Sequence, residues 1–197
     1  MKLFNCGLSK TGTTSIVSAL KILNIPSVHS ADIGIRIQQW CLHGARAGSP
    51  PPPELTQYDG FADGPLWTVT LDLLETIPDC KVIITDRDFD SWLNSAAIHV
   101  LANRLGATPG NLKQFHADLW EQDYKRAHTI YDVAFERYPN RVLRMNLESG
   151  DGWGRLCPFL GILSPPGEPF PFENTSIERL ERMLFILKQK AAAHVSR

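Results

Sequence analysis

The stretch "CGLSKTGTTS" (Cys6–Ser15) decides the fold of this chain. The residues before it, Lys2–Cys6, have the pattern of a short buried strand. From Thr14 onward, apolar side chains recur at the spacing of one helix face, at Ile16, Val17, Leu20 and Leu23. The order of strand, glycine-containing loop and helix is the context that a phosphate-binding loop requires.

The composition of this loop suits a phosphate. Backbone N–H groups at the start of a helix point toward a ligand, and the helix dipole favours negative charge there. Lys10 adds a full positive charge, and Gly12 lets the backbone approach a phosphate closely. Further donors are the hydroxyls of Thr11, Thr13, Thr14 and Ser15. A polar turn that merely caps a helix is the alternative, but so many coincident features favour phosphate binding.

The position of the lysine argues against ordinary ATP binding. In an ATP-binding P-loop the lysine follows the second glycine, whereas here Lys10 precedes Gly12. The buried run "VIITD" nevertheless offers Asp86 as a magnesium-holding carboxylate. An ATP-dependent small-molecule kinase therefore remains an alternative.

Strands alternate with helices along the chain. "KVIIT" (Lys81–Thr85) and "RVLRMN" (Arg141–Asn146) have the pattern of buried strands, and a long helix is expected from Thr108 to near Tyr138. The alternation predicts an α/β fold, a three-layer parallel sheet with helices on both faces, of the P-loop nucleotide-binding type. The 197 residues suit a single domain over 1–197. The proline-rich segment Ser27–Gly64 gives no clear prediction beyond a loop or mobile lid.

The overall composition excludes several classes of protein. A net charge of −1 gives no basic excess for nucleic acid. The four cysteines form no C-x-x-C pair, so no metal site is expected. No apolar run is long enough to span a membrane. We therefore expect a cytoplasmic protein with a small-molecule partner, and the sequence leaves its oligomeric state open.

The loop resembles the 5′-phosphosulfate loop of sulfotransferases that use 3′-phosphoadenosine-5′-phosphosulfate (PAPS). In that family the lysine precedes a small hydroxyl residue, a glycine and two threonines. The matching residues are Lys10, Thr11, Gly12, Thr13 and Thr14. The resemblance implies a P-loop fold and a loop that is intact for sulfuryl transfer.

A second segment, "TDRDFDSWLNSAA" (Thr85–Ala97), is similar to the same family. The family has an arginine at the end of this strand and a serine eight residues on, and both hold the 3′-phosphate. The resemblance gives these roles to Arg87 and Ser95. On its own, Arg87 would be interpreted as a solvent-exposed cation paired with Asp86, Asp88 or Asp90, but together with the Lys10 loop the 3′-phosphate role is favoured.

A third segment resembles the bacterial-type sulfotransferase-like branch of the family. It comprises "NLESGDGWGRLCPFLGI" (Asn146–Ile162) and "PFPFENT" (Pro169–Thr175). The chain departs from cytosolic members in lacking the late Arg-Lys-Gly loop that clamps the 3′-phosphate. Lys188, Lys190 and Arg197 are the candidates to replace that clamp.

The resemblance also implies a catalytic base. Cytosolic members carry a catalytic histidine two residues before a proline, and "ADGPL" places Asp63 at that position before Pro65. The alternatives are a turn in which Asp63 only caps locally, or a histidine base at His29, His99 or His116.

The sequence thus predicts a PAPS-dependent sulfotransferase. It would move a sulfuryl group to a hydroxyl or amine of a small molecule and release adenosine 3′,5′-bisphosphate (PAP), with Lys10 and Asp63 as the catalytic residues and no metal. The alternatives are the kinase and a catalytically inactive nucleotide-binding protein.

Overall fold

A parallel sheet forms the centre of the computed structural model, which describes residues 1–106, 116–173 and 176–195. Within these residues, five strands pair in the order β2-β3-β1-β4-β5, and every pair is parallel. The strands are β1 (Leu3–Asn5), β2 (Ser27–His29), β3 (Gly60–Ala62), β4 (Lys81–Thr85) and β5 (Val142–Met145).

Helices connect the strands and cover both faces of the sheet. They are α1 (Thr13–Ile22), α2 (Ala31–Gln39), α3 (Glu54–Gln57), α4 (Thr70–Thr76), α5 (Phe89–Leu105), α6 (Ala117–Arg137), α7 (Trp153–Leu160) and α8 (Ser176–Val195). A π-helical turn follows α2 at Trp40–Gly44, and 3₁₀ turns lie at Gly64–Val69 and Leu147–Ser149. The expected helix start at Thr108 lies outside the described residues.

The hydrophobic core has two halves, one on each side of the sheet. Consecutive strand side chains point to opposite faces, so Val82 and Ile84 of β4 enter one half and Ile83 enters the other. Tyr131 of α6 packs in the first half, and Ile16 of α1 packs in the second. The predicted α/β fold with helices on both faces is therefore confirmed.

The strand order indicates where a ligand would bind. From β1 the chain crosses to β2 at one edge, whereas from β4 it crosses to β5 at the other edge. In open α/β sheets, ligands bind outside the carboxyl ends of neighbouring strands whose connections diverge in this way. The loop after β1 carries Lys10 and the loop after β4 carries Arg87, so both lie at this position.

Most of the segment Ser27–Gly64 is regular structure, and residues 45–53, which include the prolines, form an irregular connector. The segment supplies β2, α2, α3 and β3. Ser30 caps α2, because its side-chain oxygen accepts a hydrogen bond from Ile33 N at 3.4 Å. Across the described ranges, none of the helices has the length and apolar character needed to cross a membrane.

Candidate active site

A pocket of about 640 Å³ opens at the carboxyl edge of the sheet. It brings together the residues that the sequence analysis assigns to donor binding and catalysis, apart from some of the alternative candidates. Those on its wall are Lys10, Thr11, Gly12, Thr13, Thr14, Ser15, Asp63, Arg87 and Ser95.

Two glycines allow the loop to lie close to its neighbours. A Cβ on Gly7 would lie 2.0 Å from Thr85 Oγ1, so a larger residue would push the loop off β4. Gly12 has a φ of 106°, and a Cβ there would lie 2.5 Å from Leu147 Cδ1. Lys10 also has a positive φ of 75°, which is uncommon for a residue with a side chain. The loop therefore holds Lys10 in a conformation that its surroundings impose.

Hydrogen bonds from neighbouring elements hold the loop in place. Thr11 Oγ1 donates to Leu8 O at 2.6 Å and lies 2.7 Å from Thr85 Oγ1. Trp92 Nε1 of α5 donates to Ser9 O at 2.8 Å, and Arg87 Nη1 donates to Lys10 O at 3.2 Å. Because the Thr11 hydroxyl already has two hydrogen-bond partners within the protein, it stabilises the conformation of the loop.

The first turn of α1 faces the pocket. Its N-cap, Gly12, has no side chain to satisfy the free N–H groups of that turn. The hydroxyls of Thr13 and Thr14 lie 3.0 Å and 3.3 Å from His29 Nε2. Ser15 Oγ accepts a hydrogen bond from Glu173 N at 3.0 Å. The turn thus offers the pocket an uncapped helix N-terminus with hydroxyls beside it, an arrangement suited to an anion.

Lys10 lies in an environment that disfavours its own charge. Burial, together with the positive charge of Arg179, lowers the pKa of Lys10 from 10.5 to about 8, against an opposing effect of Asp63. A bound anion would reverse this, because it favours the charged ammonium. The charged form of Lys10 would therefore be more stable with an anion bound in the pocket than without one.

Arg87 is paired with a carboxylate at the pocket wall. Its Nε donates to Glu148 Oε2 at 2.7 Å, and its Nη2 also contacts Glu148 Oε1. The sequence suggested a neighbouring aspartate as the partner of a surface arginine. The structure instead supplies Glu148 from the turn after β5, which sequence reasoning did not identify.

Arg179 is a pocket residue that sequence reasoning also missed. It projects from α8, is only 6% exposed, and its Nη1 donates to Ser95 Oγ at 3.2 Å. Burial lowers the pKa of Arg179, and the charges of Arg182 and Arg87 add to this effect, against an opposing effect of Glu178. Burying a guanidinium near two other cations is costly unless an anion is bound between them. Lys188 is exposed and not on the pocket wall, and the side chains of Lys190 and Arg197 lie outside the described residues.

Asp63 lies where the chain leaves β3, with a φ of 83°. A non-glycine residue with such a φ is uncommon, and outliers of this kind cluster at functional sites. The neighbouring chain fits this backbone tightly, since a Cβ on Gly34 would lie 2.4 Å from Asp63 O. The Asp63 Oδ2 atom lies 3.3 Å from His29 Nδ1, so the carboxylate, the imidazole and the Thr13 hydroxyl form a chain.

Two of the three alternative histidines line the pocket. Burial lowers the pKa of His29, although Asp63 opposes this effect. Burial, with Lys10 and Arg179, lowers the pKa of His99 to about 4. The buried Nδ1 of His99 has no partner among the described residues. His116 is not on the pocket wall.

Asp86, the carboxylate that a magnesium-dependent kinase would need, is engaged elsewhere. Its Oδ2 accepts from Arg144 Nη2 at 2.6 Å, and its Oδ1 lies 3.3 Å from His128 Nε2. It does not line the pocket. In the part of the chain that the structure describes, no cluster of three or more His, Cys, Asp or Glu side chains could hold a metal ion.

Comparison with known proteins agrees with this geometry. The family model described as "Sulfotransferase domain" matches the chain in two overlapping segments, residues 2–138 and 108–179. A protein of Aspergillus versicolor named "Ava biosynthesis cluster protein M" is 34% identical over 214 residues, which cover 89% of this chain and 82% of that protein. These matches give the protein a sulfotransferase-like function, and the chain belongs to the sulfotransferase domain family.

Proposed function

We propose that the protein transfers a sulfuryl group from PAPS to a hydroxyl or amine of a small-molecule acceptor and releases PAP. One observation carries the proposal. The Lys10 loop and a second cationic group, formed by Arg87 and Arg179, lie on the wall of one pocket. A nucleotide with phosphates on both its 5′ and 3′ sides needs two such groups.

The loop would hold the 5′ side of the donor. The uncapped start of α1 and the hydroxyls of Thr13 and Thr14 supply donors, and Lys10 supplies charge. Ser15 stands beside them, and Thr11 keeps the loop in shape. The residues present therefore fit a phosphosulfate.

Arg87, Ser95 and Arg179 would hold the 3′-phosphate. Ser95 is buried and already bonded to Arg179, so a phosphate placed there would meet a hydroxyl and two guanidinium groups. Arginine forms strong, often bidentate hydrogen bonds to phosphate. Arg179 thereby supplies from α8 the clamp that cytosolic members supply from their late Arg-Lys-Gly loop.

The chemistry follows from these positions. The acceptor oxygen attacks sulfur, a new O–S bond forms, and the bond from sulfur to the bridging phosphate oxygen breaks. The electron pair of the broken bond stays on the phosphate of PAP, where Lys10 stabilises the growing negative charge. The proton of the acceptor hydroxyl passes to the Asp63 carboxylate. Lys10 and Asp63 are close enough to affect each other electrostatically, so both can act at one reacting centre.

The two alternatives are weaker on specific grounds. A kinase needs a carboxylate for magnesium, and Asp86 is held by Arg144 and His128 away from the pocket. An inactive nucleotide-binding protein has no need of a strained Asp63 beside Lys10.

We also propose that residues 1–197 act as one domain in the cytoplasm. The four cysteines are free, buried thiols, which is usual in a reducing compartment.

The experiment is a transfer assay. The protein is incubated with PAPS and a mixed set of alcohols, phenols and amines, without metal, and PAP release and sulfated products are measured. We expect PAP release that depends on an added acceptor and is lost in Lys10→Met. Nucleotide binding without any transfer, across an acceptor set that includes aromatic alcohols, would favour the inactive protein instead.

A further inference from the structure

A second, smaller pocket adjoins the donor pocket, which is the pocket of about 640 Å³ that carries Lys10, Arg87 and Ser95. Unlike the donor pocket, the smaller one has tryptophan side chains on its wall. Its volume is about 200 Å³, and it shares Ser9 and Lys10 with the larger one. Three tryptophans line it, Trp67, Trp92 and Trp120. We propose that this pocket is the acceptor site, and that it selects a flat, uncharged aromatic alcohol of one or two rings. The inference rests on the proposed function and names its substrate class.

The three indoles come from three separate parts of the chain. Trp67 lies in the turn after β3, Trp92 in α5 and Trp120 in α6. Trp92 is almost fully buried and is fixed by its hydrogen bond to Ser9 O. Its ring centroid lies 6.1 Å from that of Trp120, at an interplanar angle of 53°. The two rings therefore pack against each other in a tilted arrangement that aromatic pairs favour, and together they form an apolar wall of the pocket.

Burial separates a structural part of this wall from a part open to a ligand. Trp92 belongs to the core, whereas Trp67 and Trp120 are only partly buried and pack against it. Large aromatic side chains that are left partly exposed around a concavity are typical of binding sites for apolar ligands. The partly buried indoles are therefore the ones that would contact the acceptor.

The size of the pocket limits the ligand. A cavity of about 150 Å³ in another protein is large enough to hold benzene. A pocket of about 200 Å³ therefore suits one or two fused rings, and not an oligosaccharide or a folded peptide.

The polar groups of the pocket set the orientation of the ligand. Lys10 and Gly64 lie on its wall, and Gly64 directly follows Asp63. An acceptor with its ring among the tryptophans would direct its hydroxyl toward Lys10 and Asp63, where the transfer occurs. Asp123 is the carboxylate on the wall, and it is exposed. Its negative charge disfavours an acceptor that carries a carboxylate on its ring.

The test compares matched alcohols by calorimetry, with the protein saturated with PAP and in parallel without it. The probes are 2-naphthol, its saturated counterpart decahydro-2-naphthol, and 6-hydroxy-2-naphthoate. We expect 2-naphthol to bind at least tenfold more tightly than either of the other two. Trp67→Leu and Trp120→Leu should each weaken 2-naphthol binding at least fivefold, without changing PAP affinity. Trp153→Leu, the same change outside both pockets, should change neither.

Each outcome decides one of the two claims. Equal binding of 2-naphthol and its saturated counterpart, or unchanged affinity in both tryptophan variants, would overturn the aromatic acceptor site even if PAP binds. Failure of PAP to bind would instead overturn the proposed function, while the measurements without PAP would still decide what the tryptophan pocket binds. Circular dichroism checks that each variant is folded. If a variant is unfolded, the comparison of the three alcohols on the unmodified protein still decides whether the pocket selects an aromatic alcohol.

Discussion

Arg87 and Glu148 face each other as a two-pronged ion pair on the wall of the donor pocket, with Arg87 Nε 2.7 Å from Glu148 Oε2. If Arg87 binds the 3′-phosphate, that phosphate must compete with Glu148 for the same guanidinium edge. The carboxylate then holds Arg87 in place in the free protein and opposes the incoming anion.

Removing the charge of Glu148 should therefore strengthen PAP binding. We expect Glu148→Gln to lower the Kd of PAP by about 3- to 10-fold, since a charged hydrogen bond has a net value of roughly 1.5–3 kcal/mol and only part of it is recovered. The matched control is Glu75→Gln, which removes an exposed carboxylate paired with Arg137. A Kd that is unchanged or raised in Glu148→Gln would mean that the phosphate does not meet Arg87.

If Arg87 and Arg179 bind the 3′-phosphate, removing either should weaken the binding of PAP much more than that of a nucleotide without a 3′-phosphate. Arg87→Ala and Arg179→Ala should each weaken PAP binding by about 10- to 100-fold, because each removes a charge-assisted contact. Binding of 5′-AMP, which lacks the 3′-phosphate, should change much less. Arg137→Ala serves as the surface control. Equal losses for PAP and 5′-AMP would place these arginines at the 5′ side or give them a purely structural role.

The lowered pKa of Lys10 predicts proton uptake on binding. In the free protein Lys10 titrates at about 8. A bound phosphate favours the charged form and raises this pKa, so PAP binding should take up a proton above pH 8. Affinity should accordingly fall as pH rises above about 8, by at most about tenfold per unit. Calorimetry at pH 9 in two buffers of different ionisation enthalpy measures this uptake, and Lys10→Met should abolish it. Uptake that survives in Lys10→Met would assign the titration to another group.

The same lowered pKa makes a prediction for the free protein. The unfolded chain, in which Lys10 titrates near 10.5, binds more protons between pH 8 and 10.5 than the folded chain does. The contribution of Lys10 to stability should therefore rise with pH in that window. The free energy of unfolding in urea is measured for the unmodified protein and for Lys10→Met at pH 7.5 and 10. The difference between the two proteins gives the contribution of Lys10 at each pH. A difference between the two proteins that does not change with pH would contradict the burial of the ammonium.

The proposed base is tested by a nearly isosteric change. Asp63→Asn removes the basicity, and asparagine tolerates the positive φ at this position. We expect kcat to fall by about 10²–10⁴, the usual share of general acid–base catalysis, with PAP affinity nearly unchanged. Asp32→Asn, an exposed change on α2, is the control. If Asp63→Asn keeps most of its activity, the base lies elsewhere, and His29 and His99 are the residues on the pocket wall to change next.

The sequence predicted those parts of the fold that have strong local signals. β4 is the continuous apolar run Lys81–Thr85, which the sequence predicts as a buried strand. Local signals also mark both ends of α5: the Asp88 side chain accepts from Ser91 N at its start, and Gly106 ends the helix with a φ of 73°. Such signals act within a few residues, so the sequence alone displays them.

The secondary structure of Ser27–Gly64 is not predictable from the sequence, for a physical reason. Its strands, Ser27–His29 and Gly60–Ala62, have three residues each, too few to show an alternating pattern. Their stability comes from pairing within the sheet, with β3 lying between β2 and β1. Tertiary context, which one sequence does not display, decides such strands.

The donor pocket was predictable only where one local motif carried the residues. The Lys10 loop and the Arg87–Ser95 spacing are such motifs. Glu148 and Arg179 reach the pocket from remote elements. Leu180, Leu184 and Leu187 recur on α8 at a spacing that is typical of a core-facing side, yet Leu184 is 56% exposed while Arg179 on the same helix is buried. The helix thus places a buried arginine at the pocket, which the apolar pattern does not indicate.

The central claim, that this pocket is built for a nucleotide with a 3′-phosphate, is tested most directly by calorimetry with PAP and with ATP. The account predicts that PAP binds without magnesium and at least tenfold more tightly than ATP, with or without magnesium, because ATP has no 3′-phosphate for Arg87 and Arg179. Binding of ATP with magnesium that equals or exceeds that of PAP would contradict the account and favour the kinase.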